Sequence, residues 1–240
     1  MQLIKFMVNS PLRYPEVSVI IPAYNQEKYI GRCIRSLLEQ NIPSQNYEII
    51  IINDASTDKT EYAISLFMKP NSNFIRYLSN KSNQGLPSSI NKGIHVAKGK
   101  YIVRVDSDDF VNKNFLNFLQ LYLETNPEAD AVACDYLVLD DNENVIERKN
   151  CMQDPIACGI LFKKENLFEV GLYDENFLCN EDRELRIRFC KKFNINRLNI
   201  PLYRYRKHDK GITKNLEKME KYKKMVFEKH GKISRQFFES

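Results

Sequence analysis

The sequence predicts an α/β fold in which helices cover both faces of a mostly parallel β-sheet. Short runs of β-branched residues recur through the first hundred positions, and amphipathic helical patterns separate them. Three of these runs end in polar clusters. With 240 residues, 43% of them hydrophobic, the chain can bury a sizeable core.

The first half of the chain alternates strands and helices. Strands are expected at 17–22, 47–52, 74–78 and 101–105, each a short apolar run. Helices are expected at 27–40, from the capping segment Ser56-Thr57-Asp58-Lys59 onward, and at 87–97, where Gly99 is the expected stop. This alternation is typical of parallel sheets, whose ligands bind beyond the carboxyl ends of the strands.

After residue 110 the pattern becomes a mixed α+β one. The expected elements are a helix at 115–123, a hairpin of 130–140 and 144–149, a strand at 158–162, a helix at 181–193 and a strand at 195–200. No internal repeat or low-complexity linker divides the chain. Residues 1–215 are therefore expected to form a single domain.

The net charge of +5 is concentrated towards the C-terminal end. Residues 203–240 hold 12 Lys or Arg and 5 Asp or Glu, a balance of +7, whereas the remainder holds 24 basic and 26 acidic residues, a balance of −2. A net acidic body disfavours a nucleic-acid-binding protein. The six cysteines form no C-x-x-C pair and residues 1–14 show no signal-peptide pattern, so we expect reduced thiols in a cytoplasmic protein.

Polar residues gather where three predicted strands end, at Tyr24-Asn25, Asn53-Asp54 and 106–109. The last cluster reads Asp-Ser-Asp-Asp, and three acids so close repel one another unless a positive charge lies among them. Carboxylates are ligands that Mg²⁺ and Mn²⁺ prefer, so we interpret Asp106 and Asp108 as residues near a divalent cation, with an Asp-rich turn as the alternative. Asp54 is either a ligand contact or a helix cap.

Five segments of the chain carry recognisable motifs: Val-Ser-Val-Ile-Ile-Pro-Ala-Tyr-Asn-Gln-Glu (17–27), Asn-Asp-Ala-Ser-Thr-Asp (53–58), Asn-Gln-Gly (83–85), Val-Asp-Ser-Asp-Asp (105–109) and Asn-Glu-Asp-Arg-Glu-Leu (180–185). In this order they resemble the motifs of family 2 glycosyltransferases with the GT-A fold. One motif alone is a weak signal, and five in order are a strong one. The resemblance covers about residues 17–213 and implies an inverting, metal-dependent transfer of a sugar from a nucleotide-diphosphate sugar.

The resemblance implies a role for individual residues. Those that match nucleotide-binding positions are Pro22, Tyr24, Glu27, Asp54, Asn83 and Asp106. Asp108 and His208 match metal positions, with Mn²⁺ or Mg²⁺ as the implied cofactor. Asp182 matches the family's general base, although an acid at a helix start can also simply complement the helix dipole. Residues of about 15–105 would form the nucleotide-binding half, and 106–215 the metal and acceptor half.

The implied donor is a UDP-sugar by default, and the implied acceptor is a hydroxyl of a glycan or a lipid-linked molecule. Many relatives carry Arg-Asn where this chain has Ile90-Asn91, so a positive contact to the diphosphate is either absent or comes from Lys92, Arg104 or the 204–210 cluster. Two alternatives stay open. One is a sugar-1-phosphate nucleotidyltransferase, although its Gly-rich phosphate loop is missing; the other is a non-catalytic domain that binds nucleotide sugars or glycans.

Residues 216–240 are expected to form a basic amphipathic helix. Its apolar stripe, at steps of three and four, is Leu216, Met219, Tyr222, Val226, His230, Ile233 and Phe237. Gly231 is expected to weaken the last turn. The stripe predicts packing on the catalytic domain or on a second copy as a homodimer. The flanking lysines also favour anionic lipid, so a peripheral position at the inner face of a membrane is the second interpretation.

Overall fold

The computed structural model describes residues 14–69, 74–208, 216–232, 234 and 238, and its centre is a nine-stranded sheet. The strands are β1 (Val17–Ala23), β2 (Tyr47–Asn53), β3 (Ile75–Ser79), β4 (Tyr101–Arg104), β5 (Phe110–Val111), β6 (Ala131–Leu139), β7 (Val145–Lys149), β8 (Ile160–Lys163) and β9 (Ile195–Arg206). Their order across the sheet is β3-β2-β1-β4-β8-β6-β9-β5, and β7 pairs with β6. One sheet therefore runs through both halves of the chain.

Helices cover both faces of this sheet, as the sequence predicts. The α-helices are α1 (Ile30–Leu38), α2 (Thr60–Met68), α3 (Leu86–Val96), α4 (Phe115–Thr125), α5 (Lys164–Val170), α6 (Glu181–Phe189) and α7 (Leu216–His230). Buried residues of α1, α2 and α4 share one hydrophobic cluster, and those of α3, α5 and α6 share a second. Within β1, Val19 belongs to the first cluster and Ile20 to the second, so this strand is buried on both faces.

The parallel part of the sheet sets the position of the site. β1 pairs in parallel with both β2 and β4, and β2 pairs in parallel with β3. The carboxyl ends of these four strands therefore lie along one edge. Beyond β4 the sheet is mixed, because β8 is antiparallel to β4 and β6 whereas β9 is parallel to β6.

Several elements differ in detail from the prediction. α2 begins at Thr60 rather than at Ser56, because the Ser56 hydroxyl accepts a hydrogen bond from the Asn25 N–H at 3.0 Å instead of capping the helix. Gly99 does not stop α3, which ends three residues earlier. A β-carbon at position 99 would lie 2.6 Å from the Ser18 nitrogen, so glycine permits the close approach of two backbones there. The two-residue β5 and the short α5 were not expected.

The apolar stripe predicted at the C-terminal end packs against the chain itself. Tyr222 and Val226 of α7 are buried, while Leu216 is 78% exposed. α7 ends at His230, and Gly231 follows it with a φ of +62°. Ile233 and Phe237 lie outside the described residues. Within the part of the chain that the structure covers, no helix combines the length and the apolar character needed to cross a bilayer.

Candidate functional site

A cleft of about 1940 Å³ opens at the edge where β1, β2 and β4 end. It is lined by all nine residues that the sequence singles out: Pro22, Tyr24, Glu27, Asp54, Asn83, Asp106, Asp108, Asp182 and His208. The fold thus brings side chains from distant segments into one space.

The loops that follow β1 and β2 are joined by hydrogen bonds between them. Asn25, in the left-handed region with a φ of +53°, accepts the Thr57 N–H on its side-chain oxygen at 2.8 Å. Glu27 accepts the Lys59 N–H at 2.8 Å, and its own N–H donates to Asp58 at 3.1 Å. The Glu27 carboxylate therefore braces this pair of loops, next to the exposed ring of Tyr24.

Asp54 organises the loop that carries Asn83. Its carboxylate is 3% exposed and accepts hydrogen bonds from Asn80 Nδ2 at 2.7 Å and from the N–H groups of Gln84 and Gly85, both at 2.9 Å. Gly85 has a φ of +89°, which a residue with a β-carbon rarely adopts. Asp54 is therefore not a cap of α2, and it fixes the loop that brings Asn83 to the cleft.

Two acids of the 106–109 cluster have different partners. Both carboxylate oxygens of Asp106 accept hydrogen bonds from the Arg104 guanidinium, at 2.6 and 3.1 Å. The Oδ2 atom of Asp108 lies 2.9 Å from His208 Nε2. Asp108 is 23% exposed on the cleft side of this pair, whereas the His208 ring is 5% exposed. The contact between His208 and Asp108 thus joins two groups to which the family resemblance gives a metal role.

The third acid, Asp109, is a buried structural group. Its carboxylate accepts hydrogen bonds from the Tyr203 hydroxyl at 2.8 Å and from the Arg206 N–H at 2.7 Å. Burial, with the nearby charges of Asp108 and Asp106, raises the pKa of Asp109 well above its ordinary value. These two hydrogen bonds tie the cluster to β9.

Two sets of side chains compete as a cation site. The ligating atoms of Asp106, Asp109 and Cys158 all lie within 4.8 Å of one another. The sulfur of Cys158 is a softer ligand than the oxygen ligands that Mn²⁺ and Mg²⁺ favour, so it is the least suitable member of this group. The carboxylate of Asp108 and the imidazole of His208 are ligands of types that Mn²⁺ accepts, and both residues line the open cleft.

Arg104 connects this cluster to the segment that carries Asp182. Its Nη1 donates to Glu181 at 2.9 Å, and its guanidinium is 6% exposed. Burial raises the pKa of Glu181 despite this contact. Asp182 follows in the first turn of α6, half-buried at the cleft, and no hydrogen bond to its carboxylate forms within the described residues.

Lys92 and the Ile90-Asn91 pair, considered above for a diphosphate contact, have other contacts. Ile90 is a core residue, 1% exposed. Asn91 donates to the Tyr173 carbonyl at 2.8 Å, and Lys92 bonds Asn80 at 2.5 Å away from the cleft lining. Of the proposed cations, Arg104, Arg206 and Lys207 line the cleft, whereas residues 209 and 210 lie outside the described part of the chain.

Sequence reasoning missed how Arg206 is held. Its guanidinium lies 5.1 Å from the centre of the Tyr29 ring and donates to Glu143 at 2.9 Å. Tyr29 in turn donates to Asp141 at 2.7 Å. Tyr29 directly precedes α1, and Glu143 and Asp141 lie in the β6–β7 turn, so no local sequence pattern predicts these contacts.

Comparison with known proteins is consistent with this geometry. The family model described as Glycosyl transferase family 2 matches residues 18–193. An uncharacterized glycosyltransferase of Haemophilus influenzae is 32% identical over 217 residues, which make up 90% of this chain and 60% of that protein.

Solved structures share the fold at low sequence identity. Staphylococcus aureus TarS in complex with UDP-GlcNAc gives a TM-score of 0.73 at 20% identity, covering 88% of this chain and 65% of that one. The mannosyltransferase PcManGT of Pyrobaculum calidifontis, in complex with GDP-Man and Mn²⁺, gives 0.72 at 18% identity, covering 90% and 64%. These likenesses confirm the predicted GT-A fold. The chain spans less than two thirds of the length of each of these three proteins.

The match to the family extends over most of the chain, from β1 through α6. It includes the strand ends and the first turn of α6, which carry the motif residues into the cleft. On this evidence the chain belongs to glycosyl transferase family 2.

Proposed function

We propose that this chain is the catalytic domain of an inverting glycosyltransferase. It would move a sugar from a nucleotide-diphosphate sugar, by default a UDP-sugar, to a hydroxyl of a glycan or a lipid-linked acceptor. The observation that carries the proposal is the Asp182 carboxylate, which accepts no hydrogen bond from the described residues and lines the same cleft as Asp54 and Asp108. A carboxylate placed in this way is available to accept a proton.

The nucleoside would lie against the loops after β1 and β2. Pro22, Tyr24 and Asn83 line this part of the cleft. Asp54 uses three hydrogen bonds to hold its own loop, and a carboxylate has about four acceptor positions, so one remains for an N–H of the base or a ribose hydroxyl. The complexes of TarS with UDP-GlcNAc and of PcManGT with GDP-Man support a nucleotide sugar as the class of donor.

Asp108 and His208 would hold the divalent cation, Mn²⁺ or Mg²⁺. When bound, the cation would supply Lewis-acid stabilisation of the negative charge on the leaving diphosphate. Asp106, kept in one orientation by Arg104, would accept a hydrogen bond from the nucleotide with its remaining lone pairs. The Mn²⁺ in the PcManGT complex supports this choice of ion.

Asp182 would act as the general base. It takes the proton of the acceptor hydroxyl while that oxygen attacks the anomeric carbon and the bond from this carbon to the diphosphate oxygen breaks. A single displacement inverts the anomeric centre without a covalent sugar intermediate. Asp182 lies in the first turn of α6 and lines the cleft, where an acceptor hydroxyl could reach its carboxylate.

A panel of nucleotide sugars tests the proposal. UDP-, GDP-, dTDP- and CMP-sugars are each added with and without Mn²⁺, and both the melting temperature and the release of free sugar are measured. The expected result is stabilisation and slow hydrolysis with a UDP-sugar only when Mn²⁺ is present. Stabilisation without hydrolysis would favour the non-catalytic binding domain, and conversion of UTP with a sugar 1-phosphate would favour the nucleotidyltransferase. No response to any nucleotide would contradict the donor site itself.

A further inference from the structure

Helix α7 forms part of the cleft wall although it lies beyond the residues that match the family. Lys218 and Met219 of α7 line the cleft together with Asn180, Asp182 and Arg183. The family match ends at residue 193. One wall next to Asp182 therefore comes from a segment that the shared family pattern does not describe.

The apolar face of α7 docks on α6 and on the loop before it. Tyr222 and Val226 form a small hydrophobic cluster with Phe177, Cys179 and Ile187, and Tyr222 and Phe177 bring their ring centres within 6.4 Å. Val226 is fully buried. Apolar area removed from water in this way favours the docked position of the helix.

A buried carboxylate of α6 holds the C-terminal end of α7. Glu184 is fully buried and accepts hydrogen bonds from Arg188 of its own helix and from Lys229 and His230 of α7, at 2.7 and 3.0 Å for the last two. Lys229 also reaches Asp174, at 2.6 Å. Burial alone would raise the pKa of Glu184, but hydrogen bonds from Arg188, Lys229 and His230 outweigh it and lower this pKa below its ordinary value. Removing one partner of such a group leaves a buried charge less well compensated, which is costly.

A second polar contact between α7 and this segment lies directly before the first turn of α6. Asn180, 5% exposed and in the left-handed region with a φ of +57°, donates from Nδ2 to the Met219 carbonyl at 3.1 Å. Asp182 lies between Asn180 and Glu184 in the chain. The residues on both sides of Asp182 are thus held by α7.

We infer that docked α7 positions Asp182 for catalysis, with Glu184 and Lys229 as positioning residues that act through the helix. This inference rests on the proposed function, in which Asp182 is the base. It also assigns the apolar face of α7 to the catalytic domain rather than to a lipid surface. The nucleoside side of the cleft, formed by the loops after β1 and β2, does not depend on α7.

Lys229→Met, Lys229→Arg and Lys224→Met test the inference. Lys224 is on the same helix with a side chain 78% exposed, paired with Glu228, so it controls for the loss of one positive charge. UDP affinity, hydrolysis of UDP-GlcNAc with Mn²⁺, and hydrogen exchange of residues 174–190 are measured for each variant. Because misplacement of a catalytic group by about 1 Å can cost about 100-fold, we expect Lys229→Met to lower hydrolysis about 10- to 100-fold.

Lys229→Met should leave UDP affinity within about twofold of the wild-type value. It should also speed hydrogen exchange in residues 174–190, since that segment loses the contacts of Lys229 with Asp174 and Glu184. Lys229→Arg should restore both properties and Lys224→Met should change neither.

Should Lys229→Met not fold, Met219→Ala is the second variant, with the same expected result of lowered turnover and unchanged UDP affinity. Unchanged hydrolysis and exchange in Lys229→Met would overturn the inference, as would a loss of UDP affinity equal to the loss of turnover. If the wild-type chain hydrolyses no nucleotide sugar, the proposed function fails, and the exchange measurement still decides whether α7 holds this segment.

Discussion

Arg104 holds both carboxylate oxygens of Asp106, at 2.6 and 3.1 Å, and its third contact is Glu181 at 2.9 Å. The guanidinium is almost completely removed from solvent. One buried cation is therefore shared by an acid from the end of β4 and an acid from the start of α6. This ion triad connects the predicted metal acids to the neighbour of the proposed base.

Arg104→Met should destabilise the protein and make its stability respond to a divalent cation. Removing one partner of a buried ion pair costs about 3–5 kcal/mol, because the other charge stays buried without compensation. Added Mn²⁺ should recover part of this loss by supplying positive charge near Asp106. Chemical denaturation with and without Mn²⁺ measures both effects. The matched control is Arg76→Met, at the pair of Arg76 and Glu48 outside the cleft, which should show no Mn²⁺ response beyond that of the wild type.

Asp108→Asn should remove the metal-dependent part of nucleotide binding. The amide is a weaker ligand than the carboxylate, while the loops after β1 and β2 are unaltered. At a UDP concentration of 100 times the dissociation constant, the wild type gains about 2.7 kcal/mol from binding, and this gain should shrink to the metal-free value in the variant. Thermal shift with UDP and Mn²⁺ measures the difference. Asp154→Asn, outside the cleft, is the control, and an equal loss there would argue against a specific role for Asp108.

Asp182→Asn should lower turnover by about 10² or more and leave the dissociation constant of the donor nearly unchanged. A base acts in the transition state, and the donor loops lie on other strands. Single-turnover kinetics together with UDP titration separates the two quantities. Full transferase activity in the variant would remove Asp182 from the mechanism.

Asp135→Asn should lower the free energy of unfolding at neutral pH and change it little in acid. Burial alone would raise the pKa of Asp135, but hydrogen bonds from Arg197 and Arg148 outweigh it and lower the pKa to about 2. Since the folded-state pKa lies below the unfolded value of about 3.9, the contribution is present above about pH 4 and is lost as the pH falls towards 2. We expect a difference of about 1–2 kcal/mol in the free energy of unfolding at pH 7. Solvent partly screens the interaction of Asp135 with Arg148, because the Arg148 side chain is half exposed. A difference that stays constant from pH 7 to pH 2.5 would contradict this assignment.

Local patterns were sufficient for most of the fold. The continuous apolar runs of β1 and β2 are typical of strands buried on both faces, and the helical periodicity of α1 and α4 was equally readable. The strand β5 was missed because two residues form a strand only by pairing with β9, which is distant in the chain. The helix α5 has seven residues, too few for a clear helical period.

The candidate site was predictable where a motif is contiguous and not where it depends on long-range partners. The motif residues of the cleft were all named from the sequence. The contact that Arg104 makes could not be predicted, since Glu181 lies 77 positions away and only the fold brings the two side chains together. For Asp54 the sequence left a ligand contact and a helix cap open, and the three donors that surround it belong to a loop about 30 residues further along.

The position of β9 between β6 and β5 determines when the site can form during synthesis. Until β9 has left the ribosome, β5 has no neighbouring strand, Asp109 lacks the donors Tyr203 and Arg206, and Asp108 lacks His208. The strands β1 to β4 can pair earlier, because their partners lie within the first 104 residues. The loops after β1 and β2 therefore have their neighbouring strands available earlier in synthesis than Asp108 and Asp109 have their partners. A translation product that ends before β9 would keep Asp108 and Asp109 without these partners, so the C-terminal end of β9 and the residues just after it complete the acid cluster.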